Sequence, residues 1–233
     1  MKFCPKEIHK EDIDKEDIVI GSLLGDAYIE KNGIIRVWHS IKQKEYVIWL
    51  MNLYSKFFDT TYFERICKDH RYNKEYPQAG FRVSSTNFTK LMRMLFYCPN
   101  KTISRKQLDK LTPLGLSIWY CDDGCLSFIK DKDGQIKGRQ LILNTQGFSY
   151  EENVIISNYF KEKYSIITSI HLDKGNYRIW MNGTEAKKFL NLIKEYVPEC
   201  MYYKLCYRYF GYKSSENLCK RQCECGNCPY NIV

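Results

Sequence analysis

No stretch of this sequence comes near the roughly 18 consecutive apolar residues that a membrane-spanning helix needs. Nothing at its start resembles a secretory leader either, because MKFCPKEIHKEDIDKED is charged almost throughout. Both absences exclude a membrane partner and point to a soluble intracellular protein, in the bacterial cytoplasm or an organelle matrix. Acidic residues are the minority charge, 27 against 36 Lys and Arg, which leaves a formal net charge of +9. That imbalance, in a chain with 19 Tyr, 12 Phe and 4 Trp, favours a polyanionic partner, nucleic acid first. Histidine is scarce, and His9, His39, His70 and His171 are too dispersed to define a site. Cysteine is plentiful at 11 residues, but without an export signal these read as reduced thiols or metal ligands rather than disulfides.

One segment poses a physical problem. IVIGSLLGDAYIEKNG, residues 18–33, begins as an apolar helix, carries Gly21 and Gly25 four residues apart, and ends on Asp26. Each glycine costs about 0.5–1 kcal/mol relative to alanine in a helix interior. A carboxylate at a helix C-terminus also opposes the helix dipole. Something must compensate. Glycines at that spacing share one helix face and let a partner backbone approach closely.

The chain repeats itself. After the opening helix come a hairpin turning at Asn32-Gly33, where both residues are expected at positive φ, then the core helix KQKEYVIWLMNLYSKFF. A second hairpin (YFERICKD, GFRVSST) and the helix STNFTKLMRMLFY complete this half. The order restarts with LTPLGLSIWYCDDG, whose Thr112 and Pro113 make a good helix start. A hairpin turning at Asp133-Gly134, a helix opened by Ser149 and Glu152, a hairpin turning at Lys174-Gly175-Asn176, and TEAKKFLNLIKEY follow. The expected architecture is α+β, a pseudo-two-fold duplication of αββαββα halves with two antiparallel four-stranded sheets. Residues 15–98 and 112–210 form the halves, with an N-terminal segment 1–14, a basic linker 99–111 and a Cys-rich basic tail 211–233. Asp123 ends the first helix of its half as Asp26 does, so packing those helices together brings both acids to one place. The partner helix is bulkier, with Ile118 and Trp119, though Gly115 and Ser117 are small, so close approach is expected to rest mainly on the first helix.

These residues resemble the LAGLIDADG homing endonucleases, in their single-chain, two-motif, intron-encoded branch. Against the nine-letter motif, residues 19–27 read VIGSLLGDA and residues 116–124 read LSIWYCDDG, with the catalytic acid on Asp26 and Asp123. The resemblance spans roughly residues 15–210 and includes LGDAYI, NKTI, LNTQGF and MYYKL. The first motif departs from the pattern by ending in Ala27 rather than glycine. The resemblance implies a monomer whose two sheets form a saddle over double-stranded DNA. It also implies cleavage across the minor groove of a long asymmetric site, leaving short 3′ overhangs and promoting intron mobility. Two adjacent carboxylates make a hard-oxygen site for two or more Mg²⁺ ions, which suits phosphodiester hydrolysis. The resemblance adds the backbone carbonyls of Gly25 and Asp122 as metal ligands, leaving the Asp122 side chain a bystander or structural cap. It places basic-pocket lysines at Lys101 and Lys204 and a water-ordering residue at Gln146, whose counterpart lies somewhere among Ser40 to Lys44.

Strands alternate their faces, so one parity packs on helices while the other is free to meet DNA. Arg36, Trp38, Ser40, Arg82, Ser84, Arg178 and Trp180 read as outward. Lys130, Arg139 and Gln140 join them with ambiguous parity. In the tail, Cys219, Cys223, Cys225 and Cys228 could hold a structural Zn²⁺ or belong to a reduced, flexible basic segment. Two rivals share the scaffold: a maturase binding its own intron RNA, and a DNA-binding regulator that does not cut. Binding alone does not need both acids and both lysines, so the pattern favours the nuclease.

Overall fold

The computed structural model describes residues 8, 13–69, 73–97, 100–133 and 136–205. The tail cysteines, Gly134 of the Asp133-Gly134 turn and most of the N-terminal segment fall outside them. The first half runs α1 (Lys15–Leu24), β1 (Tyr28–Ile29), β2 (Ile35–Ser40), α2 (Lys44–Tyr54), β3 (Thr60–Asp69), β4 (Lys74–Val83) and α3 (Asn87–Phe96). After α4 (Arg105–Asp109), the second half runs α5 (Pro113–Asp123), β5 (Gly124–Lys130), β6 (Ile136–Leu143), α6 (Tyr150–Tyr164), β7 (Ser169–Asp173), β8 (Asn176–Asn182) and α7 (Gly183–Ile193). The two antiparallel sheets have matching strand orders, β1-β2-β4-β3 and β5-β6-β8-β7. The protein is thus α+β and internally duplicated. Among the described residues, no helix is long and apolar enough to cross a membrane.

The centre is the α1–α5 pair. Both helices are apolar nearly all round, and every residue from Asp17 to Leu24 and from Leu114 to Cys121 is buried. A Cβ on Gly21 would sit 2.4 Å from the Gly115 carbonyl oxygen, and one on Gly25 would sit 2.3 Å from Asp122 Oδ2. Small residues therefore line both sides of the crossing, not mainly the first helix as expected: Gly115 is the opposing member. Trp119, counted above as bulk against the crossing, instead stacks on Phe160 of α6, with ring centroids 6.2 Å apart.

One buried acid ties the two halves together. Asp17, 1% exposed, accepts hydrogen bonds from Thr112 N (2.8 Å), Thr112 Oγ1 (2.5 Å) and Gly115 N (3.0 Å), capping α5 from the first turn of α1. Burial pushes its carboxyl up to about 6. A raised carboxyl contributes stability that is complete below the ordinary carboxylate range and is lost as pH rises through 6. Asp17→Ala is expected to cost about 2–4 kcal/mol by stranding three donors, and to remove this group's share of the decline between pH 4 and 6. Urea melts across that range check both.

Three local expectations need correction. At the first hairpin only Gly33 has positive φ (89°); Asn32 does not, and its side chain instead accepts from Ile34 N at 3.1 Å. The loop is the longer Lys31–Gly33 type, closed by Glu30 N to Ile34 O (2.8 Å) and Gly33 N to Glu30 O (2.9 Å). The β7–β8 hairpin is the tight two-residue turn, with Lys174 and Gly175 both at positive φ (51° and 85°). The basic linker, for which no element was expected, contains α4, opened by a capping box between Ser104 and Gln107.

Candidate active site

Helix and strand geometry delivers the chemistry to one place. α1 stops at Leu24 because Gly25 leaves the helical conformation, so Asp26 emerges with its side chain 48% exposed. α5 runs on through Asp123 before Gly124 caps it. The Asp26 N–H donates to Asp122 Oδ2 at 3.1 Å across the helix crossing. Asp122 is no bystander: its side chain is 1% exposed, and its Oδ1 also accepts from Tyr46 Oη at 2.7 Å. It fixes one helix end against the other.

The electrostatics show a site short of positive charge. Burial pushes Asp123 up to about 7, and the charges of Asp26 and Asp122 push it the same way. Burial, then the Asp26 charge, also pushes Asp122 up to about 7. Lys101 and Lys204 face the two acids from opposite halves in matching fashion. Lys101 Nζ donates to Gly25 O at 3.3 Å, and Lys204 Nζ donates to Asp122 O at 3.2 Å and Gly124 O at 3.1 Å. The carbonyls assigned to metal by resemblance thus accept from lysines in this structure. Burial lowers the Lys101 ammonium, opposed by the attraction of the three acids, Asp123 first. Lys101 is held in place through its neighbours: Thr102 Oγ1 (2.6 Å) and Ile103 N (2.8 Å) both donate to Glu152 on α6.

Gln146 reaches Asp123 through an intermediary. Its Nε2 donates to Asn144 Oδ1 at 3.4 Å, and Asn144 Nδ2 donates to the Asp123 carbonyl at 2.9 Å. The registers Tyr28↔Arg36 and Cys125↔Ile142 make Val37 equivalent to Leu143, and counting on from there, past the end of β6, sets Ser40 level with Gln146 and His39 level with Thr145. That count picks Ser40 from the Ser40 to Lys44 range that sequence spacing left open.

His39 was missed. It sits on the buried parity of β2 with Ile35 and Val37, with its Nδ1 3.5 Å from Asp26 Oδ2 and its Nε2 3.6 Å from Asp122 Oδ1. Asp26, His39 and Asp122 form a group whose ligand atoms lie within 4.8 Å of one another. Dispersal along the chain said nothing about this; strand parity beneath the first motif could have. Desolvation lowers the imidazole, so it is neutral near pH 7.

A divalent cation fits this donor set. The residues offer hard oxygens, and the raised carboxyls report the missing charge that such an ion supplies. Raised carboxyls make the metal-free protein lose stability as pH rises through 7, while bound cation displaces those protons. Added Mg²⁺ is therefore expected to raise the melting temperature more at pH 8 than at pH 6. Asp123→Asn should largely erase that difference in thermal melts.

The outward sheet faces carry most of the residues proposed to touch DNA. Arg36 pairs with Glu30, and Trp38 lies among Tyr28, Phe63 and Arg65. Arg82 and Ser84 are exposed at the end of β4, as is Ser40. In the second sheet Trp180 Nε1 donates to Gln140 Oε1 at 2.7 Å, and Arg178 Nη1 pairs with Asp173 Oδ2 at 3.2 Å. Arg139 is a correction: it shares the parity of buried Leu141 and Leu143, and its guanidinium lies 5.5 Å from the Phe128 ring on the opposite face from Gln140. Lys130 pairs by backbone with Ile136 beyond an irregularity in β5. Arg65, not anticipated, stacks 3.6 Å over Trp38 while its Nε donates to Gln78 at 2.9 Å.

A family model described as the LAGLIDADG DNA endonuclease family matches residues 16–189. A probable intron-encoded endonuclease of Wickerhamomyces canadensis is 29% identical over 198 residues, 82% of this chain and 83% of its own length. The DNA endonuclease I-ChuI of Chlamydomonas applanata is 27% identical over 210 residues, covering 82% and 94%. Among solved structures, the homing endonuclease I-WcaI bound to its DNA recognition sequence superposes with a TM-score of 0.68 at 26% identity, covering 82% of this chain and 84% of that one. Duplicated halves, paired motif helices and a family match across most of the chain converge, and this protein belongs to the LAGLIDADG DNA endonuclease family.

Proposed function

We propose that this protein is a Mg²⁺-dependent, site-specific homing endonuclease. It cuts both strands of a long asymmetric DNA site across the minor groove, leaves short 3′ overhangs and so promotes mobility of its intron. The observation that carries this reading is the convergence of Asp26 and Asp123 at one helix crossing, with Lys101 and Lys204 on the carbonyls of the residues just before them.

The two sheets would hold the duplex, with Arg36, Trp38, Ser40, Arg65, Arg82, Ser84, Gln140, Arg178 and Trp180 against the major groove, where arginine reads guanine and glutamine reads adenine. Asp26 and Asp123 would hold the metal. When bound, divalent ions supply Lewis acidity at the phosphate and a water activated at neutral pH. Lys101 and Lys204 leave their carbonyl partners to offset charge growing on the two scissile phosphates. Gln146, braced by Asn144, orients the attacking water beside Asp123. Each acid serves one strand.

Purified protein incubated with DNA spanning the empty insertion site of its intron, with and without Mg²⁺, tests the reading. Metal-dependent double-strand cleavage is expected. Retention without cutting would favour a non-cleaving regulator, and binding of intron RNA alone would favour a maturase; either outcome overturns the nuclease.

A further inference from the structure

The two acids are not supported alike. Asp123 stays within α5 and is braced through its backbone by Asn144. Asp26 lies past the end of α1, half-exposed, where its carboxylate has more freedom. His39 approaches it from beneath, itself only 4% exposed. At the matching place in the second half, Thr145 donates to Asn153 Oδ1 (2.5 Å) and accepts from Ile179 N (3.2 Å).

Each ring nitrogen faces one carboxylate, and what those carboxylates already hold decides which nitrogen can aim an N–H. Asp122 Oδ1, facing Nε2, already accepts from Tyr46, and among the described residues Nε2 has no hydrogen-bond partner. Asp26 Oδ2 faces Nδ1 at 3.5 Å. Gln43 also hydrogen-bonds the ring, in the sense that favours its protonation, while its Nε2 donates to Tyr203 Oη at 3.2 Å. Catalytic contacts of this length tighten when substrate closes the site. Resting on the endonuclease reading, we infer that His39 is a positioning residue for Asp26 alone: its Nδ1–H aims the Asp26 carboxylate, so its loss slows scission of one DNA strand and spares the other.

Two experiments decide it. Long-range ¹H–¹⁵N spectra of the metal-free protein are expected to show His39 as the Nδ1–H tautomer. Asp26→Asn should shift that Nδ1 signal and Asp123→Asn should leave it in place. Strand-resolved, single-turnover cleavage uses a duplex selected by the wild-type protein from a randomised pool in Ca²⁺. There His39→Ala is expected to slow one strand about tenfold or more and the other less than about twofold. His39→Asn, whose amide nitrogen falls near Nδ1, should restore the slowed strand, and His39→Gln, which mimics Nε2, should not. Equal slowing of both strands, no slowing, rescue by Gln rather than Asn, or an Nε2–H tautomer would each overturn the inference. If His39→Ala does not fold, the Asn and Gln variants and the spectra still decide. A wild-type protein that cuts no duplex would count against the endonuclease reading, while the tautomer would still be read.

Discussion

Asparagine at either Asp26 or Asp123 is expected to slow strand scission by roughly 10³-fold or more, a loss of about 4 kcal/mol of transition-state stabilisation. Affinity for the target duplex in Ca²⁺ should change only a few-fold, because the sheets carry the binding surface. Stability should move the opposite way. Asp123 is held up to about 7 by burial and by two neighbouring acids, so its ionised form costs the metal-free fold about 1 kcal/mol or more at pH 8. Asp123→Asn removes that cost and should melt higher than wild type without metal. Activity lost while stability rises marks a functional acid, whereas a merely structural acid would lose both. Asp122 is the contrast: Asp122→Ala leaves the Tyr46 hydroxyl only the longer bond to Ile118 O (3.4 Å) and removes the acceptor of the Asp26 N–H, and should lower stability by about 1 kcal/mol or more. Cleavage assays beside thermal melts of the three variants separate the roles.

The second large effect is steric. Alanine at Gly21 would gain about 1 kcal/mol of helix propensity on an ordinary exposed helix. Here its Cβ would lie 2.4 Å from a backbone oxygen and 2.9 Å from the carbonyl carbon and Cα of Gly115. Backbone cannot swing aside as a side chain can, so the helices must separate. Overpacking of this kind costs about 1–3 kcal/mol or more, and the net expectation for Gly21→Ala is destabilisation by at least about 2 kcal/mol. Cleavage should fall further than stability explains, because separating the helices also separates the acids. Gly147→Ala is the control: nothing lies within 4 Å of a Cβ there, and it should be neutral. Urea melts and single-turnover rates at a temperature where every variant is folded give the comparison.

Much of this was legible in the sequence, for identifiable reasons. Two copies of one hydrophobic pattern, each ending in an acid, predict the duplication, and the two matching sheets follow from the order of hairpins and helices. Gly21 and Gly25 announced a close helix contact; that Gly115 answers Gly21 could not be read, because register between distant helices leaves no local trace. The capping box at Ser104 and Gln107 was present in the letters of a segment taken for a linker. His39 hid for a different reason. A histidine at a core parity is ordinarily a satisfied interior residue, and only the fold shows two carboxylates at its nitrogens. Arg65 was similarly invisible, since the Trp38 ring beneath it comes from a strand two places away in the sheet. Strand register also narrows the Gln146 counterpart to Ser40 by counting on from Val37 and Leu143, where differing loop lengths defeat counting along the chain.

Anomalous diffraction from a crystal of the protein with its selected DNA duplex and Mn²⁺ tests the central claim most directly. Manganese peaks should lie within about 2.0–2.3 Å of carboxylate oxygens from both Asp26 and Asp123, beside the scissile phosphates. Peaks that engage neither aspartate, or phosphates positioned away from the α1–α5 crossing, would contradict it.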